Sequence, residues 1–257
     1  MFDLSRIARH FPGHLDHHES LGSTSDRALE LAATGDVPLP LLVLAERQTG
    51  GRGRGLNRWW AAEGALTFTL VVDSSAAALS LALWPRAALV AGLAICEALA
   101  ELAPAAEWRV KWPNDVFASG GKICGILCES VPGWKDRLAI GIGINVNNSL
   151  AAAPDDIRHA ARSLVDLDGA PRDLTGVLLA VLDRLEARWA DLAAGRFGEL
   201  AAAYRRLCLL TGRMLTVESA GETLVGRCLG IDDAGALVIA TESGPRGLVA
   251  GTIRSWE

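Results

Sequence analysis

The chain has 257 residues, half of them apolar and 21% charged, with a net charge of -5. This composition describes one large globular core, or one core with a small appendage, and excludes a disordered chain. The negative balance argues against bulk binding to nucleic acid, which draws on many Lys and Arg contacts to phosphate, so any anion site must be local.

The first twenty residues carry charges and histidines throughout and lack the apolar core of a signal peptide. They are also too few for a helix-turn-helix head that reads DNA. His10, His14, His17 and His18 have no cysteine or carboxylate cluster to complete a metal site, and read as solvated or core histidines. Ser23, Thr24 and Ser25 precede a helix-forming run, residues 26–33, that ends near Gly35. Leu41 to Ala45 is a short apolar strand leading into a glycine-rich loop, and Ala65 to Val72 is a second strand leaving it.

The apolar stretch from Ala76 to Ala100 is broken by Pro85 and Arg86, so it reads as a loop followed by a buried helix to about Ala103 and not as a membrane span. Apolar strands follow near residues 109–112, 122–129 and 138–144. From Leu174 to Leu192 apolar residues recur at three- and four-residue spacing, predicting an amphipathic helix, with a further helix near Phe197 to Leu207. Beyond Thr211 short runs (214–218, 223–231, 236–240 and 247–253) alternate with turn signals at the close spacing of a small barrel. The pattern divides the chain into domains 1–208 and 209–257. Five cysteines, an odd number with no C-x-x-C pair, fit reduced thiols in the cytoplasm.

Chemistry concentrates in three stretches. Gln48-Thr49-Gly50-Gly51-Arg52-Gly53-Arg54-Gly55 joins a backbone able to approach a ligand closely with two guanidinium forks suited to phosphate or carboxylate. Residues 48–63 are therefore expected to become ordered around an anion, with Trp59 and Trp60 excluding water. The same residues also suit a flexible turn with solvated arginines, as in RGG-like segments. Lys111-Trp112-Pro113-Asn114-Asp115 and Gly120-Gly121-Lys122 bring two lysines and an aspartate to adjoining strand ends, and read either as a charged cleft or as an ordinary hairpin. Gly141 and Gly143, before Asn145, bare one face of a strand for a flat ligand or for close packing of a helix. Ser23, Thr24 and Ser25 suit a polar ligand head, though capping of the helix is the first reading.

Taken in order, Ser23-Thr24, Gln48, Gly51-Arg52-Gly53-Arg54 with a Trp shortly after, Lys111-Trp112-Pro113-Asn114-Asp115, Gly121-Lys122-x-x-Gly125-Ile126-Leu127, Gly141-x-Gly143-Ile144-Asn145 and the small C-terminal domain resemble biotin protein ligases. The resemblance covers nearly the whole chain and corresponds to a short form without an N-terminal DNA-binding domain. It implies an α+β fold, with a central mixed β-sheet flanked by helices (the biotin/lipoate ligase catalytic fold) and a small SH3-like β-barrel. It further implies ATP-dependent, Mg2+-assisted activation of biotin to biotinyl-5'-AMP, then transfer to a lysine of a biotin carboxyl carrier protein of acetyl-CoA carboxylase. Neither DNA nor a membrane is an expected partner, and a homodimer is compatible with the fold.

By the same resemblance Lys122, Arg52 and Asp115 are the catalytic residues. Ser23, Thr24, Ser25, Gln48, Arg52, Gly53, Arg54, Lys122, Gly125 and Gly141 meet biotin, and Arg52, Arg54, Lys122, Asn145 and Arg254 meet ATP. No protein ligands for a metal stand out, which suits a Mg2+ held mainly by phosphates and water. Two departures from the family pattern are Gly55-Leu56-Asn57-Arg58 in the glycine loop and Ser25 where Asn is frequent. A lipoate or octanoate ligase or transferase is the nearest alternative, with Cys124 as its nucleophile. A noncatalytic regulator that binds biotinyl-adenylate is the other.

Overall fold

The computed structural model describes residues 1–74, 84–151 and 153–257, and of Pro85 only the backbone. Its elements are α1 (Leu4–His10), β1 (His14–His18), α2 (Thr24–Thr34), β2 (Leu41–Ala45), β3 (Leu66–Asp73), α3 (Trp84–Leu102), β4 (Trp108–Lys111), β5 (Asp115–Ala118), β6 (Gly121–Ser130) and β7 (Arg137–Ile144). These are followed by α4 (Asp155–Ala160), α5 (Leu164–Asp168), α6 (Leu174–Ala193), α7 (Phe197–Leu207), β8 (Met214–Ser219), β9 (Glu222–Ile231), β10 (Leu237–Thr241), β11 (Gly244–Leu248) and β12 (Thr252–Trp256). The loop expected to precede α3 lies mostly outside the described residues.

Seven strands form a mixed sheet in the order β1-β2-β3-β7-β6-β5-β4, in which only β1 and β2 run parallel. Side chains alternate between the faces of a strand, so β2 divides its residues between two cores. Leu42 and Leu44 join a large core with residues of α3, α6 and α7, while Leu41 and Val43 pack with Ala28 and Ala32 of α2 on the other face. Burial on both faces explains why β2 is uninterruptedly apolar.

Helix α2 is short, and this matters for the site. Ser23 caps it, its side chain accepting from the Asp26 amide, and Gly35 ends it at φ 83°, a left-handed conformation that glycine adopts without strain. Helix α2 covers Val71 and Ala139 and its first turn ends over Gly141, so Gly143 farther along β7 lies beyond it.

The second unit is a five-stranded antiparallel sheet in the order β11-β10-β9-β8-β12. It departs from the expected closed barrel, because β11 and β12 lie at opposite edges and do not pair with each other. The expected single strand over 247–253 is in fact split between β11 and β12, and Pro245, read as a turn residue, sits in edge strand β11, where a missing amide is tolerated. Helices α1, α4 and α5 and strands β1 and β5 have no counterpart in the pattern read from the sequence. Asp115 was read as part of a turn and instead opens β5.

Candidate active site

Register alone assembles the site. Lys111 pairs with Asp115, Asp115 with Gly125, Gly125 with Gly143, and Gly143 with Thr67, so one row crosses five strands on a single face. Charge occupies the β4–β5 end, bare glycine the middle and hydroxyl the β3 end. In the next row Leu127, Gly141 and Thr69 stand side by side.

Lys122 reaches this face by a backbone irregularity. Between β5 and β6 the register shifts after Val116, so that Phe117 pairs with Lys122 and Ile123 is skipped. Ile123 and Cys124 both enter the large core, and Lys122 emerges on the opposite face. Re-aiming a side chain in this way is a recurrent use of a β-bulge. Lys122 Nζ lies 2.6 Å from Asp115 Oδ1 and Lys111 Nζ 3.8 Å from Asp115 Oδ2, with Lys111 and Asp115 13% and 14% exposed. Burial pushes the Lys111 ammonium below the usual lysine range; Lys122 and Arg54 push the same way and Asp115 opposes them.

The hydroxyl end is a connected network. Gln48 Oε1 accepts from the Thr24 amide at 2.7 Å and from Thr24 Oγ1 at 3.0 Å. Thr69 Oγ1 donates to Thr24 Oγ1 at 3.0 Å and lies 3.3 Å from Ser25 Oγ. A methyl at Gly141 would stand 2.5 Å from Ser25 Oγ, so that glycine is what allows the serine to sit on the sheet. Ser23 serves the helix cap, while Thr24 and Ser25 line the cavity. Thr67 and Thr69 escaped the sequence reading; two alternate threonines in an otherwise apolar strand were the available signal.

The glycine loop covers the floor. Arg52 and Arg58 pair as a backbone bridge, and the Gly53 amide donates to the Asn57 carbonyl at 2.8 Å, which turns Trp59 inward. Its indole covers Gly125 and Gly143. Arg52 grips Glu129 with both terminal nitrogens, at 2.9 and 2.5 Å, and its Nε is 2.8 Å from Asp26 Oδ1. Arg54 donates to the Gly251 carbonyl and, at 3.2 Å, to Thr252 Oγ1, strapping the loop to the second sheet. The cavity so enclosed has a volume of about 180 Å³.

Thr24, Ser25, Gln48, Arg52, Gly53, Arg54, Asp115, Lys122, Gly125 and Gly141 all line that cavity, together with Thr252 and Ile253. Asn145 and Arg254 are not among the lining residues. Asn145 is buried, its Oδ1 accepting from Asn148 Nδ2 at 3.0 Å. Arg254 falls where the β12–β8 register shifts, is 57% exposed and pairs with Glu218 at 2.5 Å. Cys124, the nucleophile of the lipoate-type alternative, is fully buried in the large core, and burial pushes its thiol well above the usual range.

A mixed sheet with a glycine floor carries guanidinium and ammonium groups at one end of the cavity and hydroxyls at the other, an arrangement suited to holding an anion beside a polar ligand head. The chain belongs to the biotin/lipoate A/B protein ligase family, whose model matches residues 18–147, and residues 211–254 match the biotin protein ligase C terminal domain. It is 36% identical over 231 residues to the biotin--[acetyl-CoA-carboxylase] ligase of Mycobacterium tuberculosis, covering 88% of this chain and 82% of that protein. It is 33% identical to the bifunctional ligase/repressor BirA of Bacillus subtilis, over 90% of this chain and 70% of the relative. The biotin protein ligase of Aquifex aeolicus, solved in complex with biotin and ATP, superposes with a TM-score of 0.81 at 30% identity, over 95% of this chain and 98% of that one.

Proposed function

We propose that the chain is a biotin protein ligase, which activates biotin with ATP to biotinyl-5'-AMP and transfers the biotinyl group to a lysine of a biotin carboxyl carrier protein. The observation that carries the reading is the row Lys111–Asp115–Gly125–Gly143–Thr67, with Lys122 and Arg54 above its charged end. Domain 1–208 holds the reacting groups, and domain 209–257 supplies the wall at Thr252 and Ile253.

Two anions must meet in a partly dry site, and fixed positive charge is what lowers that barrier. Lys122, Arg52 and Arg54 hold the carboxylate and the α-phosphate, Arg52 on turning from Glu129 and Asp26 and Arg54 on turning from Gly251 and Thr252, and Lys122 meets the charge that develops between them. Ser23 holds Thr24 and Ser25 in place through the helix cap; these two, with Gln48, meet the polar head of biotin over Gly53, Gly125 and Gly141. Asn145 and Arg254 are assigned to the nucleotide, and they too must turn from the partners they have here. Asp115 orients the acceptor lysine, a poor nucleophile while protonated.

Mg2+ would neutralise charge on the phosphates of ATP. Among the described residues no group of three or more His, Cys, Asp or Glu could hold a metal, and Asp115 already lies between two lysines. A Mg2+ bound with ATP would be held mainly by phosphate oxygens and water.

No helix among the described residues is long and apolar enough to cross a membrane. We place the reaction in the cytoplasm, with no role for DNA; a homodimer through the edge strand β1 is compatible with this reading. Biotin-dependent exchange of pyrophosphate into ATP is the test. Exchange that responds to lipoate or octanoate and not to biotin overturns the proposal.

A further inference from the structure

Trp256, in β12 of the second sheet, sets its ring over the ammonium of Lys111, whose Nζ is 4.2 Å from the ring centroid. The Phe117 ring lies near the same ammonium, its centroid 5.9 Å away. Lys111 thus has two aromatic neighbours at the charged end of the row, and it faces Asp115 Oδ2 at 3.8 Å while Lys122 takes Oδ1 at 2.6 Å. One carboxylate serves two ammonium groups.

The two lysines are held differently. Lys122 makes the short contact and is 34% exposed, so it can turn toward a ligand. Lys111 is more buried, and 3.8 Å is beyond hydrogen-bond reach, so it acts on Asp115 as a standing counter-charge. Keeping a half-dry ammonium charged requires compensation, which the negative face of an indole supplies.

Within the ligase reading above, on which this inference rests, Lys122 must leave Asp115 when it takes up the reacting phosphate. We infer that Trp256 is a positioning residue for the second half-reaction: its indole pins Lys111 beside Asp115 Oδ2, so that Oδ1 stays turned toward the acceptor lysine once Lys122 has moved. The second domain thus contributes to transfer through a ring on Lys111.

The full-length protein is compared with Trp256→Leu and Trp256→Phe. Three quantities are measured: melting temperature, biotin-dependent pyrophosphate exchange, and single-turnover transfer from preformed biotinyl-adenylate to a purified biotin carboxyl carrier domain. Trp256→Leu is expected to lower transfer about tenfold and exchange by about threefold at most, the difference reflecting loss of one partly desolvated cation–π contact. Trp256→Phe keeps an aromatic face and should recover transfer to within about twofold of the parent. In a Lys111→Met background Trp256→Leu should add no further loss, because the coupled partner is gone. If Trp256→Leu alone is too unstable to assay, Lys111→Met decides the matter: it removes the pinned ammonium itself and should slow transfer more than exchange, and equal losses in the two overturn the inference. Equal losses in exchange and transfer, no rescue by Phe, or additive losses in the double variant overturn the inference. A parent protein without biotin-dependent exchange would instead sink the ligase reading itself.

Discussion

Trp59 and Gly143 are in direct contact: a methyl group added at Gly143 would stand 2.4 Å from Cε2 of the indole. The glycine floor is thus the seat of the loop's aromatic plate. Gly143→Ala should displace the indole and, with it, the turn held by the Trp59 amide to the Gly51 carbonyl at 3.0 Å. Overpacking of this kind costs about 1–3 kcal/mol of stability, and a displaced plate should also weaken biotin binding. Hydrogen exchange across residues 48–63 reports the loop directly. The parent should gain protection on binding biotinyl-adenylate and the variant should gain less; equal protection with and without ligand in the parent would refute the lid.

Lys122→Ala should nearly abolish adenylate formation, because a charge at the reacting phosphate acts mainly in the transition state. Biotin affinity should change far less than the exchange rate. Lys122 lies in β6 with its ammonium at the cavity, so the fold is expected to tolerate the change. Asp115→Asn should instead slow transfer to the carrier more than exchange. An equal loss in both half-reactions would count against an acceptor-orienting carboxylate.

Sequence reasoning reached the strands of the catalytic sheet that carry apolar runs, and the two long helices, because burial imposes period and composition there. Strand β1 escaped it because His14, Asp16, His17 and His18 form a polar edge; β5 escaped because Asn114-Asp115 looks like a turn. The residues around the cavity were legible as motifs, but what brings them together was not. The skipped residue Ile123 turns Lys122 to the site, and the register shift at Arg254 turns that residue outward beside Glu218. Both follow from hydrogen-bond register between distant strands, which residue types alone do not encode. Trp256 was invisible for the same reason, since its partner Lys111 lies in another sheet.

Cys124→Ala separates the ligase reading from a thiol mechanism. The thiol is fully buried in the core beside Ile123, so its removal should cost on the order of 1 kcal/mol in stability and leave exchange and transfer near the parent values. Urea midpoints and both half-reactions are the measurements. A well-folded variant without either activity would restore Cys124 as a nucleophile.

Arg54 links the glycine loop to the second sheet through the Gly251 carbonyl and Thr252 Oγ1, and burial lowers the pKa of its guanidinium, against the pull of Asp115, without discharging it. With ligand bound the same side chain is assigned to the phosphate of the adenylate, so it both holds the intermediate and fastens the cover over it. Arg54→Gly removes both functions while leaving Lys122 in place. A mixed anhydride reacts with any amine it meets, and an enzyme that makes it but cannot retain it should release it to label lysines indiscriminately. Biotin incorporation into albumin, with ATP and biotin present and no carrier added, should therefore rise well above the parent level. If the variant forms adenylate at a normal rate yet labels albumin no more than the parent does, Arg54 does not retain the intermediate and the strap to Gly251 has another purpose.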